Sequence, residues 1–516
     1  MTGNQADDEP GAAVGAVLPR LTGDEEERLT GAELRRLTAR VRAHNVPPRA
    51  GRVAIDVGEA SILLGLVVLY VWGFGAPVRE LLASDPARFG LGPGLVQALM
   101  LALAVVAGAV LALRLGPAGL SAAGVRWWLP TPADRAGFAA PSVVRSVLVG
   151  VGAGLVAGGL PAAVVGVDLV GVLVDAALGG ALGLVVVAGA GVLQVAGAAP
   201  GARWGYAFAL LVAAVPVAGL GLALWAPPWE SWVPPWPVPA VLGVLGCAAL
   251  VVWTTGLERL RAADLRLSAS TMTQTSAAVL SFDTTGLSRA LGTEPRVSPG
   301  FSRVLAAVRG PVTAIVAADA LLMLRSPGAL AGLVAFAAAG AVAVQVPALA
   351  EGIGLWVVLV GAGYAGALAG APGPRAAGEN ARLDSLVPLG ARVARAVRVG
   401  WPTLAAGIVL LLLAAVGGGP WIAMAVPTAV VLGAAAVRAA YREPVRWDMP
   451  MIATPAGALP TGLILHWLKG PDMVLLGTLP LGWVAVAGAV SLPMIAVQVV
   501  FAAGAVLWAA RVERDG

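Results

Sequence analysis

Runs of about 20 apolar residues recur along this chain, and they constrain its fold more than any other feature. A helix needs about 20 residues to cross a hydrocarbon core about 30 Å thick. The chain has 516 residues, of which 58% are hydrophobic and only 12% charged, and its mean hydropathy is +0.85. A water-soluble protein of that length needs a polar shell that this composition does not supply. The sequence therefore predicts an all-α, polytopic membrane protein.

The apolar runs predict about 12 transmembrane helices, arranged as two six-helix bundles that form a pseudo-dimer. A polar, basic stretch separates the two sets of six. The predicted spans are 57–76, 94–114, 144–166, 172–195, 206–226 and 238–256, followed by 328–348, 352–370, 401–418, 421–437, 473–490 and 492–510.

The segments outside the spans complete a prediction of six regions. TGAE, at residues 30–33, is a capping-box pattern, and Leu34, Leu37 and Val41 follow at helical spacing among arginines, which predicts a short amphipathic helix. The predicted regions are an acidic, disordered tail (1–29), an amphipathic elbow helix (30–56), the first six-span half (57–256), a basic linker with interfacial helices (257–327), the second six-span half (328–510) and a tail (511–516).

The two halves resemble each other in layout. Each has a long arginine-containing connection after its second span, LPTPADRAGFAAPSVVR in the first half and LDSLVPLGARVARAVR in the second. Each also ends in a span that runs into a charged segment, TTGLERLRAADLR or LWAARVERDG. Because both halves have an even number of spans, the pattern predicts parallel repeats.

Arginine placement predicts the orientation. Loops on the cytoplasmic side of a membrane protein are enriched in arginine and lysine. With the N-terminus inside, the inner segments hold nearly all the arginines, and the outer loops hold only Arg79 and Arg88. We therefore expect a multi-pass protein of the plasma membrane with both termini cytoplasmic.

The sequence offers no catalytic constellation. The only lysine, Lys469, does not belong to a phosphate-binding loop, which needs Gly-Lys followed by Ser or Thr. One cysteine, Cys247, and two distant histidines, His44 and His466, cannot form an ordinary metal site. The first outer loop, PVRELLASDPARFG, lacks the close acidic pair that would favour a polytopic glycosyltransferase. We expect no enzymatic activity, metal or cofactor.

Polar residues within or beside the spans have structural interpretations. Asp168 and Asp175 lie near an outer turn, where we expect solvated helix ends rather than an ion site. The mid-span glutamines predict hydrogen bonds between helices. They are Gln97, Gln194, Gln345 and Gln498.

Asp319 and Arg325 belong to an apolar helix, GPVTAIVAADALLMLRSP, that Ser326 and Pro327 interrupt just before span seven. The pattern predicts a helix in the plane of the inner leaflet. Two interpretations stay open for its charges: solvated interfacial groups, or a gate or partner contact. The apolar segment 456–469 is too short to span, and we expect it to lie in the inner interface.

The segment WAPPWESWVPPWP, residues 225–237, joins spans five and six on the predicted outer side. Tryptophan is enriched where membrane helices meet the headgroups. An outer interface anchor or lid is therefore favoured over a sugar-binding platform. Its tryptophans are Trp225, Trp229, Trp232 and Trp236.

This layout resembles the permease of type-2 ATP-binding-cassette exporters, here with two halves fused in one chain. The segments LSFDTTGLSRAL and DALLMLRSP further resemble uncharacterised actinobacterial membrane proteins grouped with those permeases. The resemblance implies a separate ATPase subunit as partner, contacts to membrane lipids and none to nucleic acid. The aliphatic spans would suit a hydrophobic or lipid-like substrate. The residues that would couple to the partner are Arg35, Arg36, Asp134, Arg135, Asp283, Arg289, Asp319 and Arg325.

Two other classes of function stay open. A secondary transporter of major-facilitator-like layout also has twelve spans, and ADRAG, at residues 133–137, resembles part of that family's inner motif. However, the motif's following basic pair is missing and the connection is long. A non-transporting scaffold would instead use the arginines to bind a partner or anionic lipid.

Overall fold

The computed structural model is almost entirely helical, which confirms the expected all-α polytopic membrane protein. Within the described part, eight helices are long and apolar enough to cross a membrane, or nine if one bent pair is a single span. The predicted tail 1–29, the first predicted span 57–76 and residues 281–305 lie outside that part. The described residues are 30–45, 93–198, 202–225, 233–280, 306, 308–379, 387–443, 446, 448–454 and 457–511.

Helices occupy five predicted spans of the first half, and the sequence encodes several of their ends. Asp134 and Asp168 cap two long helices by accepting hydrogen bonds from the third helical residue, and Pro237 stands at a first helical position, where its missing N–H costs nothing. The helices are α1 (Gly31–Asn45), α2 (Pro93–Leu115), α3 (Ala122–Trp127), α4 (Arg135–Val165), α5 (Leu169–Val195), α6 (Ala202–Trp225), α7 (Pro237–Thr255) and, after a 3-10 turn at Leu257–Arg259, α8 (Ala262–Leu280).

Helices also occupy the six predicted spans of the second half. They are α9 (Pro311–Arg325), α10 (Pro327–Ala343), α11 (Pro347–Ala350), α12 (Gly352–Ala369), α13 (Pro372–Glu379), α14 (Ala391–Val397), α15 (Gly400–Gly417), α16 (Ala425–Ala440, after a 3-10 turn at Pro420–Met424), α17 (Thr461–Leu468), α18 (Pro471–Gly477), α19 (Leu479–Ala487) and α20 (Leu492–Ala509).

Helix α9 meets α10 at an angle of 79°. The bend falls at Ser326 and Pro327, where the sequence predicts an interruption. Proline cannot continue the hydrogen-bond ladder of a preceding helix, so α10 starts in a new direction. An angle near a right angle is the geometry expected of an in-plane helix that leads into a span.

Helices α4 and α5 are continuous and pack along each other through glycines. A Cβ atom added to Gly154 would lie 2.2 Å from the carbonyl oxygen of Gly179, and one added to Gly158 would lie 2.0 Å from that of Asp175. Only residues without a side chain allow backbones to approach so closely, which is a common device between membrane helices. Gly166, at φ 92°, then ends α4 in the left-handed conformation that glycine adopts readily.

The predicted span 473–490 consists of two helices rather than one. Helices α18 and α19 are separated at Thr478, and Pro480 follows as a residue without a backbone N–H. The side chain of Gln498 donates to the carbonyl oxygen of Gly477 over 2.8 Å. A neighbouring helix thus satisfies a backbone group beside the break, as the membrane interior requires.

Each half has its own cluster of buried apolar side chains. The cluster of the first half surrounds Trp253, which is fully buried against Gly191 of α5. The cluster of the second half includes Leu359 and Leu432 and is centred on α16, the helix whose window is most buried among the candidate spans. Helix α6 packs along α10 and joins the halves.

The segment 456–469, which the sequence predicts to be too short to span, contains both a strand and a helix. Strands β1 (Met451–Thr454) and β2 (Gly457–Pro460) form an antiparallel hairpin, with Met451 opposite Pro460. Helix α17 follows and has only eight residues. A helix of that length does not cross a hydrocarbon core, so this segment adds no span.

Candidate functional site

The predicted elbow helix α1 is attached to the start of α4 by Asp134. The carboxylate of Asp134 accepts from the backbone N–H of Gly31 through one oxygen and from that of Gly137 through the other, the latter over 2.6 Å. These two N–H groups hold the pKa of Asp134 below its ordinary value of 3.8, because they favour the ionised carboxylate. Asp134 therefore caps α4 and binds the first residue of α1 at once.

The start of α1 has the capping box that TGAE predicts. The backbone N–H of Thr30 donates to the carboxylate of Glu33 over 2.9 Å, and the N–H of Glu33 donates to the Thr30 hydroxyl over 3.3 Å. Arg35 then reaches α4, where its Nη1 donates to the carbonyl oxygen of Gly137 over 2.6 Å. Arg36 points away and is exposed. Of the two predicted arginines, Arg35 fixes the helix in place and Arg36 remains on the surface.

Arg135 joins the start of the third span to the end of the sixth. Its Nη1 donates to the carbonyl oxygen of Leu260 over 2.6 Å, just after α7 and the 3-10 turn. Beside it, Trp128 stacks on Phe138 with ring centroids 5.5 Å apart. These residues line a cavity of about 160 Å³ in the connection between α3 and α4.

In the second half, the carboxylate that attaches a short helix to the third span is that of Asp319, which lies on the short helix rather than at the start of the span. The side chain of Asp319 on α9 accepts from Nη1 of Arg398 over 2.6 Å, and Arg398 lies just before α15. The Nε1 of Trp401 adds a hydrogen bond of 2.9 Å to the carbonyl oxygen of Val316. Two bonds thus attach α9 to the start of the third span of this half.

The interpretation of Asp319 as a solvated interfacial charge is wrong. Its side chain is only 2% exposed, and that of Arg398 is 12% exposed. A Cβ atom added to Gly373 of α13 would lie 2.2 Å from a carboxylate oxygen of Asp319. The helical face that carries Asp319 packs against α13, α14 and α15, and this packing removes its carboxylate from solvent.

Arg395 repeats the contact made by Arg135. Its Nη1 donates to the carbonyl oxygen of Arg511 over 2.8 Å, just after α20, and its guanidinium lies 4.4 Å from the ring centroid of Tyr441. In each half, an arginine before the third span therefore binds the backbone just beyond the sixth predicted span. We use the name arginine-rich end for the end of the protein where these contacts and those of Asp134 and Asp319 lie.

The structure describes only some of the remaining predicted site residues. Arg325 ends α9 and is partly buried, whereas Asp283 and Arg289 lie outside the described residues. Trp225 and Trp236, at the far ends of α6 and α7, are 90% and 75% exposed. Such exposure is compatible with an anchor in the membrane interface, which stays a prediction. Trp229 and Trp232 lie outside the described part of the chain.

Sequence reasoning missed Arg395 and Arg398 as functional candidates. Both belong to LDSLVPLGARVARAVR, the connection that the layout of the repeats had selected, but the sequence does not show which of its arginines face inward. It also missed Gln194 as the residue that fixes the first connection. The amide of Gln194 exchanges two hydrogen bonds, of 3.0 and 2.8 Å, with the backbone of Ala118.

The predicted solvent exposure of Asp175, at the opposite end of the first half, is also wrong. The expectation of a solvated helix end holds for the exposed Asp168, which caps α5, but not for Asp175, which is only 2% exposed. The amide nitrogen of Gln97 on α2 donates to the carboxylate of Asp175. Asp175 lies nearly two turns into α5, and at that depth its carboxylate is inside the α2–α4–α5 packing rather than in water.

Among the described residues, no group of three His, Cys, Asp or Glu side chains is placed to hold a metal ion. No curated protein and no solved structure matches the chain. Residues 89–450, more than half of the chain, match one family model. The chain therefore belongs to DUF6297, a family of unknown function.

Proposed function

We propose that the chain is the membrane-spanning permease subunit of an ATP-driven exporter whose ATPase is a separate protein. The observation that carries this proposal is the repeated arrangement at the arginine-rich end. In each half, a short helix that precedes the spans is attached through a carboxylate to the start of the third span, at Asp134 or Asp319. Because each short helix is attached to a span, a partner that displaces the short helix also displaces that span.

The arginine bonds extend the same connection across each half. Arg135 in the first half and Arg395 in the second each join the start of the third span to the end of the sixth. A displacement of the third span is therefore transmitted to the sixth span of the same half. A permease driven by an external ATPase needs a rigid surface of this kind on the side of the ATPase. By the arginine distribution, that side is the cytoplasm, and the membrane is the plasma membrane.

The contact surface for the ATPase consists of exposed groups next to these bonds. Arg36 on α1 is exposed, as are Arg126 and Trp127 on α3, the latter 72% exposed. Exposed arginine and tryptophan are enriched at protein interfaces. The spans, which are mostly aliphatic, favour a hydrophobic or lipid-like substrate.

The test is purification of the tagged chain from its native membrane in mild detergent, followed by mass spectrometry and an ATPase assay. We expect a stoichiometric ATP-binding-cassette ATPase, and we expect Arg36→Glu with Arg126→Glu to release it. The matched control, Arg36→Lys with Arg126→Lys, keeps the charges and should retain the ATPase. Proton-driven transport by the isolated chain in proteoliposomes would contradict the proposal, as would a native complex without any ATPase.

A further inference from the structure

Asp175 lies inside the predicted membrane region of the first half, remote from every arginine contact described above. Helix α5 begins at Leu169, so Asp175 lies about 9 Å along the helix from its start at a rise of 1.5 Å per residue. Its side chain is 2% exposed, and that of Gln97 is 3% exposed. The carboxyl group is therefore embedded in the third of the bilayer opposite the arginine-rich end.

The described helices around Asp175 supply no basic residue at its level. Helices α2, α4 and α7 pack against α5, and their segments at this depth are 93–103, 150–165 and 237–247. These segments contain no Asp, Glu, His, Lys or Arg, and the only titratable side chain among them is the exposed Cys247. On α5 itself, the nearest charged group is Asp168, an exposed carboxylate of the same sign. Within the described residues, the hydrogen-bond partner of Asp175 is a neutral amide.

A buried carboxylate without a counter-charge is too costly to persist in a membrane interior. Such a group becomes neutral by taking up a proton or by binding a cation. The α4 backbone packs directly on the backbone of α5 at Asp175, since a Cβ atom added to Gly158 would lie 2.0 Å from the Asp175 carbonyl oxygen. A hydrated cation needs a cavity beside the carboxylate, whereas a proton needs none.

We propose that Asp175 and Gln97 form a proton-binding site near the end of the bilayer opposite the arginines, with the proton on the carboxyl group of Asp175. Glutamine suits this task because its amide has both a donor and an acceptor. The N–H group donates to the ionised carboxylate, and after rotation of the amide the oxygen accepts from the protonated carboxyl. Gln97 can therefore hydrogen-bond to both the ionised and the protonated carboxyl group of Asp175. An arginine has no acceptor for the protonated form.

The site gives the chain a way to take up protons from the side opposite its arginine-rich surface. Helix α5 is also the partner of α4 in the glycine contact, and α4 starts at Asp134. Protonation at Asp175 thus acts on the same helix pair to which α1 is attached. The inference does not depend on the existence of an ATPase.

Dicyclohexylcarbodiimide tests this site directly in the purified full chain. The reagent is apolar and reacts with protonated carboxyl groups. The carboxyl oxygen bonds to the carbodiimide carbon, the carboxyl proton passes to a carbodiimide nitrogen, and migration of the acyl group to nitrogen leaves a stable N-acylurea. Mass spectrometry then locates the adduct on its peptide.

We expect an adduct on Asp175 at neutral pH that decreases as the pH is raised, and none in Asp175→Asn. In Gln97→Leu the ionised form loses its donor, so labelling should persist to higher pH. A purely structural Asp175 would not show this displaced pH profile. Monodispersity in size-exclusion chromatography checks that both variants fold.

Two results would overturn the proposal. The first is absence of an Asp175 adduct at neutral pH in the native protein under conditions that label the same residue after unfolding in detergent. The second is protection of Asp175 by sodium or potassium ions at constant pH, because that result would identify a cation site instead of a proton site.

Discussion

Arg398 donates a hydrogen bond of 2.6 Å to Asp319 and so joins α9 to the start of α15, with both side chains almost completely removed from solvent. Loss of one member of a buried ion pair is more harmful than loss of both, because the remaining charge stays in a poorly solvating environment. Substitution of either residue alone should therefore destabilise the second half.

Asp319→Ala should lower the free energy of unfolding by roughly 3–5 kcal/mol, since it removes a buried carboxylate that accepts a hydrogen bond from the Arg398 guanidinium. The double variant Asp319→Leu with Arg398→Met should be more stable than Asp319→Ala. Denaturant unfolding in detergent micelles measures both. The control is Asp448→Ala, which removes an exposed ion pair with Arg446 at 3.7 Å and should leave the unfolding midpoint unchanged. Equal effects of Asp319→Ala and Asp448→Ala would contradict the role of burial.

The sequence predicts the fold class well because hydropathy is a local property of the chain. Runs of apolar residues predicted helices, TGAE predicted the capping box, and Ser326 with Pro327 predicted the bend. The side on which a polar residue faces is not local. Asp175 was expected in solvent, and a solvated charge was one of the two interpretations of Asp319; only the neighbouring helices reveal that both side chains are buried.

The candidate site was predictable to a similar degree. Of the two connections that the layout selected, the first contains Asp134 and Arg135, which make bonds to other elements, while their role towards a partner stays a prediction. Their counterparts in the second half, Arg395 and Arg398, lie among several arginines in a segment without a distinctive motif. The difference between a bonded and an exposed arginine depends on helical phase and on the partner helix, which a single sequence does not supply.

The contact between α4 and α5 gives a prediction with a control on the same helix. A Cβ atom at Gly154 would lie 2.2 Å from a backbone oxygen of α5, whereas one at Gly152 would have no neighbour within 4 Å. Gly154→Ala should therefore destabilise the protein by about 1–3 kcal/mol through overpacking. Gly152→Ala should be neutral or slightly stabilising, because alanine favours helices over glycine. Unfolding in detergent micelles compares the two variants, and equal stability would show that the backbones are farther apart than described.

Acid should release α1 from α4. The folded-state pKa of Asp134 is lowered by the N–H groups of Gly31 and Gly137, so the contact stabilises the fold fully above the ordinary value of 3.8. That contribution is lost as the pH falls through the lowered pKa. Hydrogen exchange of residues 31–41 should therefore increase at acidic pH, after correction for intrinsic exchange rates.

Asp134→Asn provides the control for that experiment. Asparagine keeps an N-cap acceptor but has no carboxylate, so it should abolish the dependence on acid while exchange in α1 is already raised at neutral pH. An unchanged acid dependence in this variant would assign the transition to another carboxyl group.

Substitution of Arg135 or of Arg395 should increase hydrogen exchange at equivalent places in the two halves. Arg135→Gln should increase hydrogen exchange just after α7, around Leu260, and Arg395→Gln should do so just after α20, around Arg511, because each removes the guanidinium that binds that backbone. Arg392 lies on the same helix as Arg395 but is exposed, so Arg392→Gln should leave exchange at Arg511 unchanged. The two arginine bonds lie in separate halves, so the double variant should show the sum of the single effects. If the loss of Arg135 also raised exchange at Arg511, the halves would be coupled through α6 and α10 rather than acting as independent repeats.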